Sequence, residues 1–558
     1  MTSFTFTLAG SLEKVLPKQA PSSLSSGASL SGLWGETLSF QLAYRCDSDE
    51  YDTASFHYRL EIDSPLHADI RVRKVELVPC SYPCHGVWDD DYLTTEPGLL
   101  PDLLVPLDLG QAVKAVPAQW RSLWIDVKLR GSLPAGKYPV TLTARNREGG
   151  FLWEDTIYIE VIPHHLPPQR LLHTEWFHAD CLADYYGVPV FSEEHWRIID
   201  NFMAAAADHG INMLLTPIFT PPLDTAIGGE RTTVQLVDVH VEDGRYTFDF
   251  GRLERWINLC RKHGIDHLEI SHLFTQWGAE HAPKIIARVN GRPERIFGWD
   301  TEAAGEAYTA FLHDFLPQLK DFLKRQGVFE RTWFHISDEP HDHQKETYAA
   351  AKAVVKDLLS DCRVIDALSS YDIYTEGIVE KPIPCNDHIQ PFIDAGVPHL
   401  WTYYCTVQAL QVSNRFIAMP SSRNRILGVQ LYLHQMEGFL HWGFNFYNSQ
   451  HSVKPINPYL VTDAGEAFPS GDPFLVYPAP DGTAYDSIRG MILKEALYDL
   501  RAMQKLETLA GRHTVERLIH EDTEGRISFT AYPKGSQYLI RLRDKINGSI
   551  AVLKEDES

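Results

Sequence analysis

Nowhere does this chain hold the ~20 uninterrupted apolar residues that a membrane-spanning helix needs. Basic residues are also scarce. Lys and Arg total 51 against 74 Asp and Glu, a formal net charge of −23 over 558 residues. Phosphate backbones and anionic lipid repel such a chain at long range, so neither nucleic acid nor membrane is an expected partner. The first ten residues (MTSFTFTLAG) contain no basic segment and no long apolar core. They do not read as a secretory signal, and a cytoplasmic protein is expected. Cysteine is sparse: Cys46, Cys80, Cys84, Cys181, Cys260, Cys362, Cys385 and Cys405 are scattered in the manner of reduced thiols. Only Cys80 and Cys84, beside His85, are close enough to suggest a metal. No second ligand pair stands at zinc spacing, so a turn around Pro83 is expected there. There is no repeat at 20–50 residues and no low-complexity tract beyond Ser22–Ser31.

What the chain does have is core-forming residues. AVILMFWYC make up 44%, and Phe, Tyr and Trp number 26, 24 and 13. That composition buries a core and excludes disorder as the main state. At roughly 100–200 residues per domain, the length suits two to four domains.

Residues 1–165 read as strands. In 123–129 (LWIDVKL), Leu123, Ile125, Val127 and Leu129 alternate with Trp124, Asp126 and Lys128. Residues 137–144 and 155–162 repeat the pattern, with a hairpin connection at 131–136 (GSLPAG). Period-2 alternation with frequent turns predicts an antiparallel β-sandwich. Pro163-His-His-Leu-Pro167-Pro168 follows, expected as a stiff joint without strand or helix and as a domain boundary.

After the joint, short apolar runs alternate with longer helical segments. Strands are expected at 171–177, 211–217, 267–273, 332–337, 363–369, 398–404 and 438–445, with a weaker one within 373–395. Helices are expected at 193–209, 252–263, 302–326 and 341–360. Ser192 caps the first helix ahead of Glu193 and Glu194, and Gly210 and Gly264 end helices. This order predicts parallel strands with crossovers, and eight strands would close a (β/α)8 TIM-like barrel over 166–510. The rival is an open doubly wound sheet. Its nucleotide-binding form is disfavoured because Leu171 to Tyr186 contains no glycine. An amphipathic helix over 487–509 is expected to close this domain, leaving 511–558 as a short C-terminal extension.

Barrel chemistry sits at the C-terminal ends of strands. The fourth such end reads His335-Ile336-Ser337-Asp338-Glu339-Pro340. Neighbours in a strand face opposite ways, but a corner before proline breaks that alternation and lets both carboxyls enter one cleft. There, one is pushed up to serve as an acid while the other stays charged, the division of labour that glycoside hydrolysis requires. The bland reading is an acidic pair complementing a helix dipole. Other strand ends supply Trp176, His178 and Asp180, then His272, Gln276 and Trp277, then Trp401, Tyr403 and Tyr404, then Trp442 and Asn445. Rings offer faces to sugar C–H groups and polar neighbours fix hydroxyls. With His335, all of these except Trp176 form the candidate substrate-binding set beside catalytic Asp338 and Glu339. A metal held by His178, Asp180 and His272 lacks local ligand spacing; no metal and no cofactor is expected.

Residues 335–340 (HISDEP), 438–447 (GFLHWGFNFY) and 471–477 (GDPFLVY), followed by Ser487-Ile488-Arg489, resemble glycoside hydrolase family 123. This family comprises β-N-acetylgalactosaminidases and bacterial relatives. The resemblance covers ~170–510 and extends weakly to Leu100–Pro106 (LPDLLVP). It implies a β-sandwich followed by a (β/α)8 barrel, and an exo-acting retaining reaction assisted by the substrate's own acetamido group. Glu339 would be the acid/base, and Asp338 would hold the acetamido N–H. Trp442 would floor the sugar pocket, and Tyr403 or Tyr404 would reach the acetamido oxygen. Family members often act outside the cell on glycolipid or glycan ends. Without a read export signal, the expected substrate here is a small oligosaccharide or glycoside. Segments 212–224 and 271–280 match no known family site and are expected to shape a different aglycone pocket. The competing readings are an exo-glycosidase for another β-linked sugar and a non-catalytic sugar-binding relative. Nothing in the sequence decides whether the protein forms a homo-oligomer.

Overall fold

The computed structural model describes residues 2–49 and 53–553. Its two compact units are not successive stretches of chain. One gathers the described residues of 1–169, 409–434 and 485–558; the other gathers 170–408 and 435–484.

The first unit contains two sheets. In one, Ser3–Gly10, Thr37–Asp47, Trp120–Lys128, Ile70–Cys80 and Gly98–Pro106 are neighbours in that order, all antiparallel, and Ser487 and Asp486 add beyond Gly98–Pro106. In the other, Ser29–Trp34, Phe151–His165, Gly136–Asn146, His57–Asp63 and Ala112–Lys114 are neighbours; only the first pairing is parallel. The predicted alternation holds on the inner side. Leu123, Ile125, Val127 and Leu129 share one core with Val140, Leu142, Ala144, Ile157, Ile159 and Val161.

Three features differ from the sequence reading. Trp124 and Asp126, on the opposite face, are buried too, because Asp126 receives the Trp124 indole N–H and the buried Arg73 guanidinium. The Pro-rich joint is partly strand: Phe151–His165 runs through Pro163. The register with Ser29–Trp34 shifts between Ile162 and His165, and a bulge accommodates a proline that has no N–H to donate. Finally, helix Ile488–Ala510 and helices Arg512–His520 and Ser536–Val552 belong to this unit. Arg543 of the last helix pairs with Glu36 and Asp499, all three buried.

The second unit is built on a parallel sheet. Its strands lie in the order Arg363–Val364, Thr332–Phe334, His267–Ile270, Met213–Thr216, Leu172–Glu175, Gly438–His441, Trp401–Tyr403. Asp366–Ala367 continues from the first of these and pairs in parallel with Pro382–Ile383, the weak strand expected within 373–395. A parallel bridge joins Cys385 to Tyr403. One hydrophobic cluster collects Trp176, Met213, Leu215, Trp333, Ile365, Ala367, Ile383, Trp401, Tyr403 and Leu440 from these strands and their ends. The strands are shorter than their apolar runs, because the residues beyond them turn into the loops that carry polar groups. Helices Glu193–Asp208, Gly251–Lys262, Glu306–Arg325 and Lys345–Val355 fall where periodicity places them. Ser192 accepts from the His195 amide at the first, and Gly210 and Gly264 take the left-handed conformation at helix ends, φ 79° and 72°. Not foreseen is a four-stranded sheet of Asp238–Glu242, Arg245–Asp249, Ile285–Val289 and Arg292–Phe297, inserted after the second and third parallel strands. No helix among the described residues is long and apolar enough to cross a membrane.

Candidate active site

Beyond Phe334 the chain stops being regular strand but keeps its neighbour. The amides of Leu273, Phe274 and Trp277 donate to the carbonyls of His335, Ile336 and Asp338, and the Ser337 hydroxyl donates to the Thr275 carbonyl. The exit of the fourth strand is thereby clamped along the exit of the third. At its end Glu339 adopts φ 43°, a left-handed conformation that costs a non-glycine residue of order 1–3 kcal/mol. That turn undoes the strand alternation, and both Asp338 and Glu339 line one pocket.

The two carboxyls differ in environment. Asp338 is buried, and lost hydration followed by the charge of Glu339 pushes its carboxyl well above the ordinary carboxylate range. Glu339 is half-buried, and its Oε1 accepts a hydrogen bond from the Tyr403 hydroxyl. Below the pair lies a buried charged layer. His335 shares its Nε2 proton with Glu269 at 2.7 Å and its Nδ1 proton with Asp366 at 3.2 Å. Desolvation opposes the charge on His335, but the two carboxylates outweigh it and raise the imidazole to about 10. Glu269 also receives the indole N–H of Trp176, a pocket residue, at 2.8 Å.

Seven of the thirteen candidate residues line the pocket: His178, Gln276, Trp277, Asp338, Glu339, Tyr403 and Trp442. Trp442 is anchored by its N–H to Asp472 at 2.9 Å, which gives the GDP motif at 471–473 its local purpose. The other six stand elsewhere. Asp180 is buried in a bidentate pair with Arg231 at 2.8 and 2.9 Å. Arg231 also reaches His178 Nδ1 at 3.1 Å, and burial together with that guanidinium drives the His178 imidazole down to about 3. The cation beside His178 and Asp180 is therefore Arg231, a residue that sequence reasoning missed. Asn445 clamps the backbone of His178 from both sides, at 2.9 and 3.0 Å. His335 belongs to the charged layer just described. His272 stacks on it at 4.3 Å, held neutral by burial and by the His335 charge. Trp401 lies one layer deeper than Tyr403 on the same face, against Trp333 at 5.3 Å, with its N–H on Glu437. Tyr404 points to the opposite face, against Phe439 and His441.

Among the described residues, two donor groups could hold an ion: His272, His335 and Asp366, and Cys385, Asp387 and His388. In the first, both nitrogens of His335 are already engaged by carboxylates. In the second, the donors bond one another, His388 Nδ1 lying 3.3 Å from Cys385 Sγ and 2.8 Å from Asp387.

A family model described as glycoside hydrolase 123, catalytic domain, matches residues 176–506. No curated protein matches the chain. Among solved structures, a family 123 glycoside hydrolase from Clostridium perfringens, described in a study of glycolipid glycan hydrolysis, is 15% identical. It aligns over 98% of both chains with a TM-score of 0.73, a likeness of fold. Beta-glucuronidase 3 of Bacteroides uniformis is 12% identical over 90% of this chain and 52% of its own, with a TM-score of 0.29. An endo-beta-1,4-mannanase of Thermotoga petrophila is 13% identical over 60% of this chain and 77% of its own, with a TM-score of 0.30. Neither of the last two bears on the assignment. With the catalytic-domain match spanning more than half of its length, the chain belongs to glycoside hydrolase family 123.

Proposed function

We propose that the protein is an exo-acting retaining β-N-acetylgalactosaminidase that releases a terminal sugar from small oligosaccharides or glycosides, using the substrate's acetamido oxygen as nucleophile. The observation that carries this reading is the sharing of one tryptophan-lined pocket by two adjacent carboxyls of unlike environment. The shared cluster of inward residues and the Cys385–Tyr403 bridge support closure of the parallel sheet as a (β/α)8 barrel around that pocket.

In the free protein burial and the neighbouring Glu339 raise the Asp338 carboxyl. An acetamido N–H donated to Asp338 favours its carboxylate instead, and Glu339 is the carboxyl assigned to deliver the proton. Glu339 gives that proton to the glycosidic oxygen as the bond to the anomeric carbon breaks and the acetamido carbonyl oxygen attacks the same carbon. Positive charge spreads over the forming ring beside the Asp338 carboxylate, an interaction strongest at the transition state. Water then opens the oxazoline with Glu339 as base, and configuration is retained. The neighbouring carboxyls need not obey the spacing rule for an enzyme nucleophile, because the substrate supplies one.

Turnover of aryl β-N-acetylgalactosaminides, β-N-acetylglucosaminides and plain β-galactosides tests the reading. A plain galactoside cleaved as fast as its acetamido counterpart would sink the assisted mechanism. Glu339→Gln is expected to abolish cleavage of poor leaving groups; undiminished turnover would remove its role as acid.

A further inference from the structure

Three loops of the second unit are knotted at Asp224. Its backbone amide donates to Gln276 Oε1 at 2.6 Å, its Oδ2 accepts from the His451 amide at 3.0 Å, and its carbonyl accepts from the Ser452 hydroxyl at 2.7 Å. Asp224, Trp277, His451 and Ser452 all have left-handed backbones, with φ of 39°, 57°, 58° and 53°. So many strained non-glycine residues at one wall mark an over-determined structure of the kind found at ligand sites. Asp224, Gln276, Trp277 and His451 line the same pocket as the carboxyl pair.

The knot uses one side-chain polar atom of Asp224 and of Gln276 and leaves a second unused on each. Because Gln276 Oε1 accepts from an N–H, the orientation of its amide is set, and Nε2 is the spare donor. That atom is buried without a hydrogen-bond partner, on a residue only 5% exposed. His451 Nδ1 also has no hydrogen-bond partner, on a side chain that is 42% exposed; it lies 3.8 Å from Asp224 Oδ1, an ion-pair distance beyond hydrogen-bond reach. A buried donor left unpaired costs about 1–3 kcal/mol, and native structures keep such groups where something else completes them. The wall thus presents a donor (Gln276 Nε2), an acceptor (Asp224 Oδ1) and a group of either kind (His451 Nδ1). An anion would meet Asp224, Asp338 and Glu339; a cation would leave the Gln276 amide unsatisfied. Hydroxyl groups, which donate and accept at once, complete all three.

We propose that Gln276, Asp224 and His451 bind hydroxyl groups of the terminal sugar ring and determine which sugar the pocket accepts. This rests on the glycosidase reading and deepens it. The test is calorimetric titration of N-acetylgalactosamine and its 3-, 4- and 6-deoxy analogues into wild type, Gln276→Glu and Asp224→Asn, two variants that keep side-chain shape, with thermal melts to verify folding. The expected result is binding of the parent sugar weakened roughly 10- to 100-fold in each variant. At least one deoxy analogue, penalised on wild type, should carry no further penalty on the variant that has lost its partner. Variants that bind the parent sugar like wild type, or that pass every deoxy penalty through unchanged, would overturn the proposal. Loss of aryl-glycoside turnover with sugar binding unaltered would do so as well, since Asp224 would then act on the chemistry. Sugar binding by a wild type that cleaves no glycoside would defeat the hydrolase reading and leave this one standing.

Discussion

The hydroxyl of Tyr403 donates its hydrogen to Glu339 Oε1, so the proposed acid is held by a side chain from the opposite part of the strand order. A hydrogen bond between neutral groups contributes about 0.5–1.5 kcal/mol. Tyr403→Phe is therefore expected to lower kcat/KM on aryl β-N-acetylgalactosaminides by roughly 2- to 10-fold and to lower the melting temperature by no more than a few degrees. Steady-state kinetics checks this, and full activity in the phenylalanine variant would show that the contact does not position the acid.

Asp338 makes a second prediction, on stability against pH. Its folded carboxyl binds a proton more tightly than the unfolded one. The folded chain therefore holds the extra proton, and stability falls as pH rises from ~4 through the raised folded value. Asp338→Asn removes this liability. It is expected to raise stability by about 0.5–2 kcal/mol near neutral pH, with no gain at pH 3–4, while severely slowing the oxazoline-forming step. Melting curves across pH test the first half. The second is tested by single-turnover kinetics together with weakened inhibition by a thiazoline mimic of the intermediate.

In the first unit, Arg489 grips Asp102 through two hydrogen bonds of 2.9 Å, both residues being almost wholly buried. Asp102 comes from the LPDLLVP segment and Arg489 from the Ser-Ile-Arg motif that carries part of the family resemblance. Their role is structural. Removing one partner strands a buried charge, at a cost of about 3–5 kcal/mol. Arg489→Leu is expected to show that loss in denaturant titration, and Asp102→Leu with Arg489→Leu to be milder than either alone. A double variant as damaged as the sum of the singles would contradict the pairing.

Local pattern made much of this legible. Short apolar runs and helical periodicity locate every strand of the seven-stranded parallel sheet and the four longest helices of the second unit, because burial in a sheet or on a helix face imposes those patterns. The adjacency of Asp338 and Glu339 before Pro340 was readable as a corner, and φ 43° at Glu339 is that corner's geometry. Tyr404 shows where pattern misleads. Tyr403 and Tyr404 are equivalent as aromatic residues at a strand end, but alternation sends only Tyr403 inward. Trp401 shares the inward face and sits too deep; Gly438, its register partner, has no side chain because a Cβ there would fall 2.1 Å from the indole.

By itself, then, the sequence determined the strands of the parallel sheet, the longest helices and the acidic corner, since each follows from residues a few positions apart. Only the tertiary structure decided what completes the pocket. Asp224 and His451 lie 227 residues apart, Arg231 meets Asp180 across 51, and Glu269 meets His335 across 66. No local spacing announces such pairs. They exist because parallel strands with long crossovers bring distant loops to one sheet edge, where a buried charge or amide must find its partner in another loop or in a ligand.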